Sequence, residues 1–589
     1  MFLLLVCSIS CYAQAFQQQG NKLIGTGAIG NGRQGSAVCL SADGNTALVS
    51  GAGDNNNMGA VWVYTRTNGV WSQQGNKLVG TGYTESSSQG NSVYLSADGN
   101  KAIIGGPNDD YGYGAAWIFT RSNGVWTQQG NKIVGTGGIR DPSVGQSIAF
   151  GRSVSLSADG NTAVVAGIND NNAKGAVWIF TYANGVWSQQ GNKLVATGTT
   201  GQAVVGYSVS ISADGNTVVA GGMFDNNGQG GAWVFTRTTG VWTQQGGKLF
   251  GNSVIGQAYQ GCSVALSSDG NTAFIGGYSD NGGIGAAWVF TRNAGVWSQQ
   301  GNKIVGAGYM FGAYEGRTVS LSADGNTAVI GGDYDYSGLG AVWVFGRNNG
   351  VWTQTGNKLV GSGNIGNAGQ GSSICISGDA STIIIGGLSD NSAKGAAWIF
   401  AKAVPLPIKF VKIDAIREYD HVNIKWEVAD AKDNKRYVIM RSADGINFTD
   451  IGDIFSSGFT SYNFIDRAVV AGANFYKIRA VDANDKFVYS DVVKVLFGNS
   501  KSIVTIYPNP VISKKFTLDL VSEIRGIFKV SIYNLTGVNI YNTTFDHTGS
   551  SSNMKIVLPS FVSDGMYQLK VISSDNVIFS KAFVINNMK

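Results

Sequence analysis

Seven aspartates recur at matched positions: Asp54, Asp109, Asp170, Asp225, Asp280, Asp335 and Asp390, and Asn follows five of them. Oxygen donors in such number suit a calcium site, which needs six to eight of them, or a ring of partners for sugar hydroxyls. The same residues also close loops unaided, because Asp and Asn side chains bond their own backbone in turns. Sevenfold repetition favours the loop reading, since a binding site usually rests on one asymmetric constellation; the metal reading stays open beside it. Asymmetry lies elsewhere. Tyr278, Tyr309, Phe311, Tyr314, Tyr334 and Tyr336 crowd into two adjacent repeats, with Glu315, Asp333 and Asp335 among them. Aromatic rings with polar tips offer large contact area and hydrogen bonding together, which suits a glycan or a protein loop. The alternative is packing between loops. The expected ligand contacts are Tyr309, Phe311, Tyr314, Glu315, Tyr334, Asp335 and Tyr336.

Nucleophilic and metal chemistry have little to work with. The only histidines are His421 and His547, so residues 16–402 hold none. A Ser-His-Asp or Cys-His relay is excluded there, as is a His-based metal site. Glu is confined to Glu85 and Glu315 in that stretch. A pair of aspartates for glycoside hydrolysis is conceivable, but nothing marks one pair over another, and no catalytic residue is assigned. Cys39, Cys262 and Cys375 follow Cys7 and Cys11 of the leader, without CxxC spacing. Cys39 and Cys375 share one repeat position and could be bridged only with Cα atoms within ~7 Å. Buried free thiols are the expectation.

These residues hang on a repeat. A Ser-x-Asp turn recurs at Asp43, Asp98, Asp159, Asp214, Asp269, Asp324 and Asp379, with spacings of 55, 61, 55, 55, 55 and 55. The 61 comes from extra residues in Gly137–Gly151. A fixed period of this size announces a repeat architecture. Each unit carries four strand signals, A to D. In the third unit Ser153–Ser157 is A, Asp159-Gly160 a hairpin turn, Thr162–Ala166 B, Ala176–Thr181 C, Asn184-Gly185 a second turn, and Val186–Val195 holds D. Strand C is apolar at consecutive positions, as in Ala60–Tyr64, so both its faces must be covered. Seven four-stranded antiparallel sheets covered on both faces describe a β-propeller. Paired tryptophans such as Trp62/Trp71 and Trp343/Trp352 fit packing between blades. The seventh unit lacks strand D, and Phe16–Leu23 matches it, so both ends of the domain can share one blade and remove exposed edges. Strand direction puts the D–A and B–C loops on one face and the tight turns on the other. Glycine at 85 of 589 residues and 13% charged residues exclude a disordered chain and long helices. A net charge of +5 is too small and dispersed for a nucleic-acid binder.

Three resemblances follow. Gly151–Ser157 (GRSVSLS), the Gly-Gly after strand B and Gly340–Phe345 (GAVWVF) make residues 16–402 similar to FG-GAP repeats, the kind found in integrin α-chain propellers. Calcium-binding members carry their ligands in an A–B loop; here that loop is only Ala42-Asp43-Gly44-Asn45 and its copies, so no calcium site is carried over to it. Beyond Val404-Pro405-Leu406-Pro407, residues 403–498 resemble a fibronectin type III-like domain through Arg441–Phe448 and Phe475–Arg479, with Trp426 and Tyr476 as expected core. Residues 503–589 resemble the C-terminal sorting domain of type IX secretion, through Ile506–Pro510 (IYPNP), Val530–Gly537, Asp564–Tyr567 and Ser580–Ile585. Residues 1–15 end in Ala13-Gln14-Ala15 after an apolar run and read as a signal peptide. No run approaches the ~18 residues of a membrane span.

The expected protein is all-β: a seven-bladed β-propeller followed by two small β-sandwich domains. The resemblance implies a secreted or cell-surface protein of a Gram-negative bacterium, with the type IX machinery as partner of residues 503–589. The expected role is binding or adhesion to an extracellular glycan or protein, with no cofactor, no nucleic acid and no transmembrane segment. A polysaccharide hydrolase or lyase, or a structural surface component, are the alternatives.

Overall fold

The computed structural model describes residues 16–84, 86–139, 147–402, 409–418, 421–429, 434–482, 487–497, 503–522, 525–573 and 578–586. The expected signal peptide, Glu85, most of the insertion in the third repeat and the Pro-rich junction lie outside these residues. The chain divides into two compact units, Met1–Val404 and Pro405–Lys589.

The first unit contains seven four-stranded antiparallel sheets. Blade 1 comprises strands A Gln34–Leu40, B Thr46–Gly51, C Ala60–Thr67 and D Val70–Gln73. Blades 2 to 6 repeat that order. Each strand A packs against the next, and that of blade 7 returns to that of blade 1, closing a ring. Blade 7 takes A to C from Ser373–Ile376, Thr382–Gly387 and Ala396–Lys402, and its fourth strand from Phe16–Gln18, with Phe16 opposite Lys402. The split closure expected from the missing strand D is the one observed.

Strand C shows why the pattern is continuous rather than alternating. Residues Ala60 to Tyr64 are all buried, because both faces of the sheet meet neighbouring blades. Trp62 is fully buried and its indole N–H donates to the Thr26 carbonyl at 2.7 Å. The ring lies so close to the incoming loop that a Cβ on Gly25 would sit 2.2 Å from it. That close approach accounts for the glycine at this repeat position.

The Gln-Gln at the end of strand D in all blades but the sixth, which has Gln354-Thr355, is structural too. Gln73 accepts the Thr26 N–H at 2.8 Å, while Gln19, from the neighbouring blade, accepts the Trp71 indole N–H at 2.9 Å. On the tight-turn face the Arg66 guanidinium stacks on Trp71 at 5.4 Å and donates to Asn45 Oδ1 at 2.9 Å. Asp43 closes its own turn by accepting from Ser41 Oγ, the Asn45 N–H and the Asn45 amide. Partial burial pulls the Asp43 carboxyl up, but these donors outweigh it and hold it below the usual range.

Cys39, Cys262 and Cys375 are free thiols. Cys375 Sγ accepts the Leu40 N–H at 3.2 Å, the part played elsewhere by serine, as when Ser210 Oγ accepts the Leu266 N–H at 3.2 Å.

The second unit holds two further sheet systems. In residues 410–497, a three-stranded sheet and a five-stranded sheet enclose Trp426, Tyr437, Tyr462 and Tyr476. Asp466 accepts from both Tyr476 Oη and Arg441 within this sandwich. In residues 503–585, strand Ile503–Ile512 pairs first with Lys515–Ser522 and then, at Val511, with Ile578–Ile585. The first pairing is interrupted at Tyr507-Pro508-Asn509-Pro510, where two prolines remove N–H donors, and resumes at Ile512 opposite Lys515. Val504, Val511, Phe516, Phe528 and Phe583 share one core. His547 is buried between Ser552 Oγ and the Ser522 carbonyl, an interior structural position.

Candidate functional site

The B–C and D–A loops meet on one face of the ring. Gly59, at the end of the first B–C loop, bridges to Gln89 at the start of the next blade, and the pairing recurs at Gly230–Gln260, Gly285–Glu315 and Gly340–Gln370. Each B–C loop begins with one of the seven aspartates and continues through two left-handed residues, such as Asn55 (φ 49°) and Asn56 (φ 56°). Asn tolerates this conformation best among residues with a Cβ, which explains the Asp-Asn-Asn sequences. Blade 6 places Tyr336 (φ 50°) and Ser337 (φ 58°) there instead, a strained choice.

The seven aspartates do not form an open oxygen ring. Each side chain is at most 1% exposed and pairs with a lysine beyond strand D at 2.5–2.6 Å: Asp54 with Lys77, Asp109 with Lys132, Asp170 with Lys193, Asp225 with Lys248, Asp280 with Lys303, Asp335 with Lys358, and Asp390 with Lys22. The other carboxylate oxygen accepts a backbone N–H from the adjoining D–A loop at 2.5–2.8 Å, from Ile29, Thr84, Ile139, Thr200, Ile255, Met310 and Ile365. An ammonium already stands where a cation would sit. Each aspartate locks a D–A loop to a B–C loop, and Asp390–Lys22 does so across the ring's seam.

The aromatic group is partly assembled. Tyr314 stacks on Tyr334 (5.2 Å between centroids) and meets Tyr278 edge-on at 5.9 Å. Tyr278 stacks on Tyr259 at 5.4 Å and 8°, and Tyr259 meets Phe224 at 5.6 Å. The result is a continuous ladder, Phe224–Tyr259–Tyr278–Tyr314–Tyr334, across blades 4 to 6. Its two ends are exposed, Phe224 by 43% and Tyr334 by 53%. Tyr309, Phe311 and Tyr336 lie on the same loops and are exposed, outside the ladder. Asp335 is buried under the face in its lysine pair.

Glu315 is not on the surface. It is fully buried, with Oε2 accepting the Gly306 N–H at 2.5 Å and Oε1 without a hydrogen-bond partner among the described residues. The same repeat position holds Gln34, Gln89, Gln260 and Gln370, whose amides clamp a glycine from both sides, as Gln260 does to Gly251 at 2.7 and 3.2 Å. A carboxylate can copy only the accepting half. Burial pushes the Glu315 carboxyl up to about 8, and the nearby Asp335 adds to the effect.

Arg317 joins the ladder to the ring's centre. Its guanidinium lies over Tyr278 at 5.1 Å and 3.9 Å from the Asp333 carboxylate. Burial raises the Asp333 carboxyl, because the long ion pair offsets only part of the desolvation. Phe224, Tyr259 and Arg317 were missed by grouping neighbours in sequence. Aligning the repeats finds the aromatics: Phe224 and Tyr334 both precede the loop aspartate, and Tyr259 and Tyr314 both precede the Gln/Glu position.

Comparison with known proteins places one segment firmly. Residues 505–586 match the family described as a secretion system C-terminal sorting domain. The chain carries a sorting domain. It is therefore exported, to the cell surface or the extracellular space, and among the described residues no helix is long and apolar enough to cross a membrane. No curated protein matches the sequence. Among solved structures, the β-propeller domain of the Trilobed protease from Pyrococcus furiosus is similar at 8% identity and a TM-score of 0.34, over 62% of this chain and 95% of that one. Prolyl endopeptidases analysed for inter-domain dynamics are similar at 10% identity and a TM-score of 0.32, over 82% of this chain and 53% of theirs. A two-domain fibronectin type III segment of chicken tenascin is similar at 17% identity and a TM-score of 0.14, over 29% of this chain and 97% of its own. At these scores nothing about activity follows.

Proposed function

We propose that the propeller is an extracellular binding module that uses the loop face of blades 4 to 6 to hold a glycan or protein ligand. The observation that supports this reading is the aromatic ladder from Phe224 to Tyr334, exposed at both ends on a face whose seven loop aspartates serve the fold. Stacked tyrosines present flat apolar rings with hydroxyl tips, which suit sugar faces and polar rims. Tyr309, Phe311 and Tyr336 are the proposed flanking contacts, and binding is independent of metal because lysines occupy the loop aspartates. Within this reading the blades are FG-GAP-like and residues 403–498 are a fibronectin type III-like spacer, supported by their sheet pairings. The type IX machinery is the partner of residues 503–589.

The test is a glycan-array and matrix-protein screen on the full chain, with calcium and with chelator. Binding that survives chelation and falls in Tyr314→Ala and Tyr334→Ala is expected. Absence of binding to every probe overturns the reading, and release of reducing ends replaces it with a polysaccharide-degrading enzyme.

A further inference from the structure

A cavity of about 620 Å³ runs into the centre of the ring, lined by strand A of every blade. That is the size of a small-ligand site, for which roughly 300–1,000 Å³ is typical. Its lining is charged unequally: Arg33, Arg152 and Arg317 face it against a single carboxylate, Asp333. Arg152 and Arg317 hold the same repeat position, directly after the left-handed glycines Gly151 and Gly316.

Both guanidinium groups are set rather than loose. Arg152 lies over the Tyr207 ring at 4.4 Å, and Arg317 over Tyr278 at 5.1 Å. Stacking fixes the plane and leaves the N–H edges available. Neither guanidinium donates a hydrogen bond to a described residue; Arg317 has only its 3.9 Å approach to Asp333. Planar forks of this kind match the paired oxygens of a carboxylate or sulfate.

The location adds the second half of the ligand. Tyr278 touches both Arg317 and Tyr314, so the ladder runs directly to the cationic mouth. An extended peptide has no strand edge to join there. The N–H groups of Val154, Val209, Val264 and Val319 are already bonded to serines of the preceding blade at 3.0 Å. We infer that the channel mouth holds an anionic saccharide, with Arg152 and Arg317 as cationic contacts for its carboxylate or sulfate groups while a neighbouring sugar unit stacks on Tyr334, the exposed end of the ladder. This inference rests on the binding reading above and sharpens it to a ligand class.

Titration calorimetry on the full chain would compare tetragalacturonate, a sulfated carrageenan tetrasaccharide, and neutral xylotetraose and cellotetraose. An acidic tetramer binds about tenfold or more tighter than the neutral ones, the worth of a charge-assisted hydrogen bond, and the preference shrinks at high salt. The double variant Arg152→Gln/Arg317→Gln removes the preference. Arg317→Lys, which keeps the charge but not the fork, retains part of it and guards against misfolding of the double variant. Equal binding of acidic and neutral tetramers, or a preference that survives the double variant, overturns the inference and leaves the binding module standing. Failure of all four saccharides, with protein ligands captured in the earlier screen, also overturns it. Failure of every probe overturns both.

Discussion

The two faces of the propeller are built from the same repeat, yet they use it differently. On the tight-turn face the recurring polar side chains have repeated partners: Asp43 with Ser41 and Asn45, Arg66 with Asn45 and Trp71, and Gln19 with Trp71. On the loop face the same economy holds for the aspartate–lysine pairs of all seven blades, and blades 4 to 6 add aromatics to it. There aromatics replace small residues before the aspartate and before the Gln/Glu position, and they face each other and solvent. Repetition therefore marks residues that hold the ring, and departure from it together with exposure, as at Phe224 and Tyr334, marks residues available to a partner.

The largest effect expected is on the repeated side. Trp288→Ala empties a fully buried site and costs on the order of 3–5 kcal/mol. Asp225→Ala strands the Lys248 ammonium under the loop face and costs a similar ~3–5 kcal/mol. Both are read by denaturant unfolding, and a loss under about 1 kcal/mol for Asp225→Ala would show that the loops do not depend on these pairs.

Glu315 sharpens the comparison through pH. Its carboxyl is raised from an ordinary 4.5 to about 8 in the fold, so the folded chain keeps a proton that the unfolded chain has lost. Stability therefore falls as pH rises from about 4.5 to about 8 and is level above. Glu315→Gln supplies the missing donor to Gly306, removes that slope and stabilises the protein most at alkaline pH. Unfolding curves across this range check it; an unchanged slope in the variant contradicts the assignment.

The turn aspartates give the opposite sign. Asp43, Asp98, Asp159, Asp214, Asp269 and Asp324 are each held below the usual value by serine and asparagine donors that outweigh partial burial. Their stabilisation is present above the ordinary carboxylate range and is lost as pH falls through their lowered values. Acid unfolding should shift to higher pH as Asp→Asn changes accumulate in these turns. The smallest stability effect belongs to Tyr334→Ala, within about 0.5 kcal/mol because the side chain is exposed, combined with a clear loss of ligand.

The sequence carried the ring almost whole. The period located the blades, the consecutive apolar run of Ala60–Tyr64 required two covered faces, and the missing strand D of the seventh unit matched Phe16–Leu23. The site was legible only in part. Tyr278, Tyr314 and Tyr334 were found because they crowd together in the chain. Tyr259 and Phe224 were missed because they precede the aromatic-rich stretch of blades 5 and 6, by 19 and 54 residues before Tyr278. Glu315 was grouped with the surface tyrosines by proximity, although its repeat position, shared with Gln34, Gln89, Gln260 and Gln370, is an interior clamp. Arg152 and Arg317 gave no signal as a pair, since only ring closure brings strands of blades 3 and 6 to a common channel.

The split blade has a consequence for how such a chain can change over time. The strand pairing that completes the last blade joins Phe16–Gln18 to Ala396–Lys402, at the two ends of the propeller. Gain or loss of a whole internal repeat leaves that seam untouched, and only the curvature of the ring has to adjust. Blade number and the recognition surface can thus diverge by duplication, while the fastening between first and last strands stays the same.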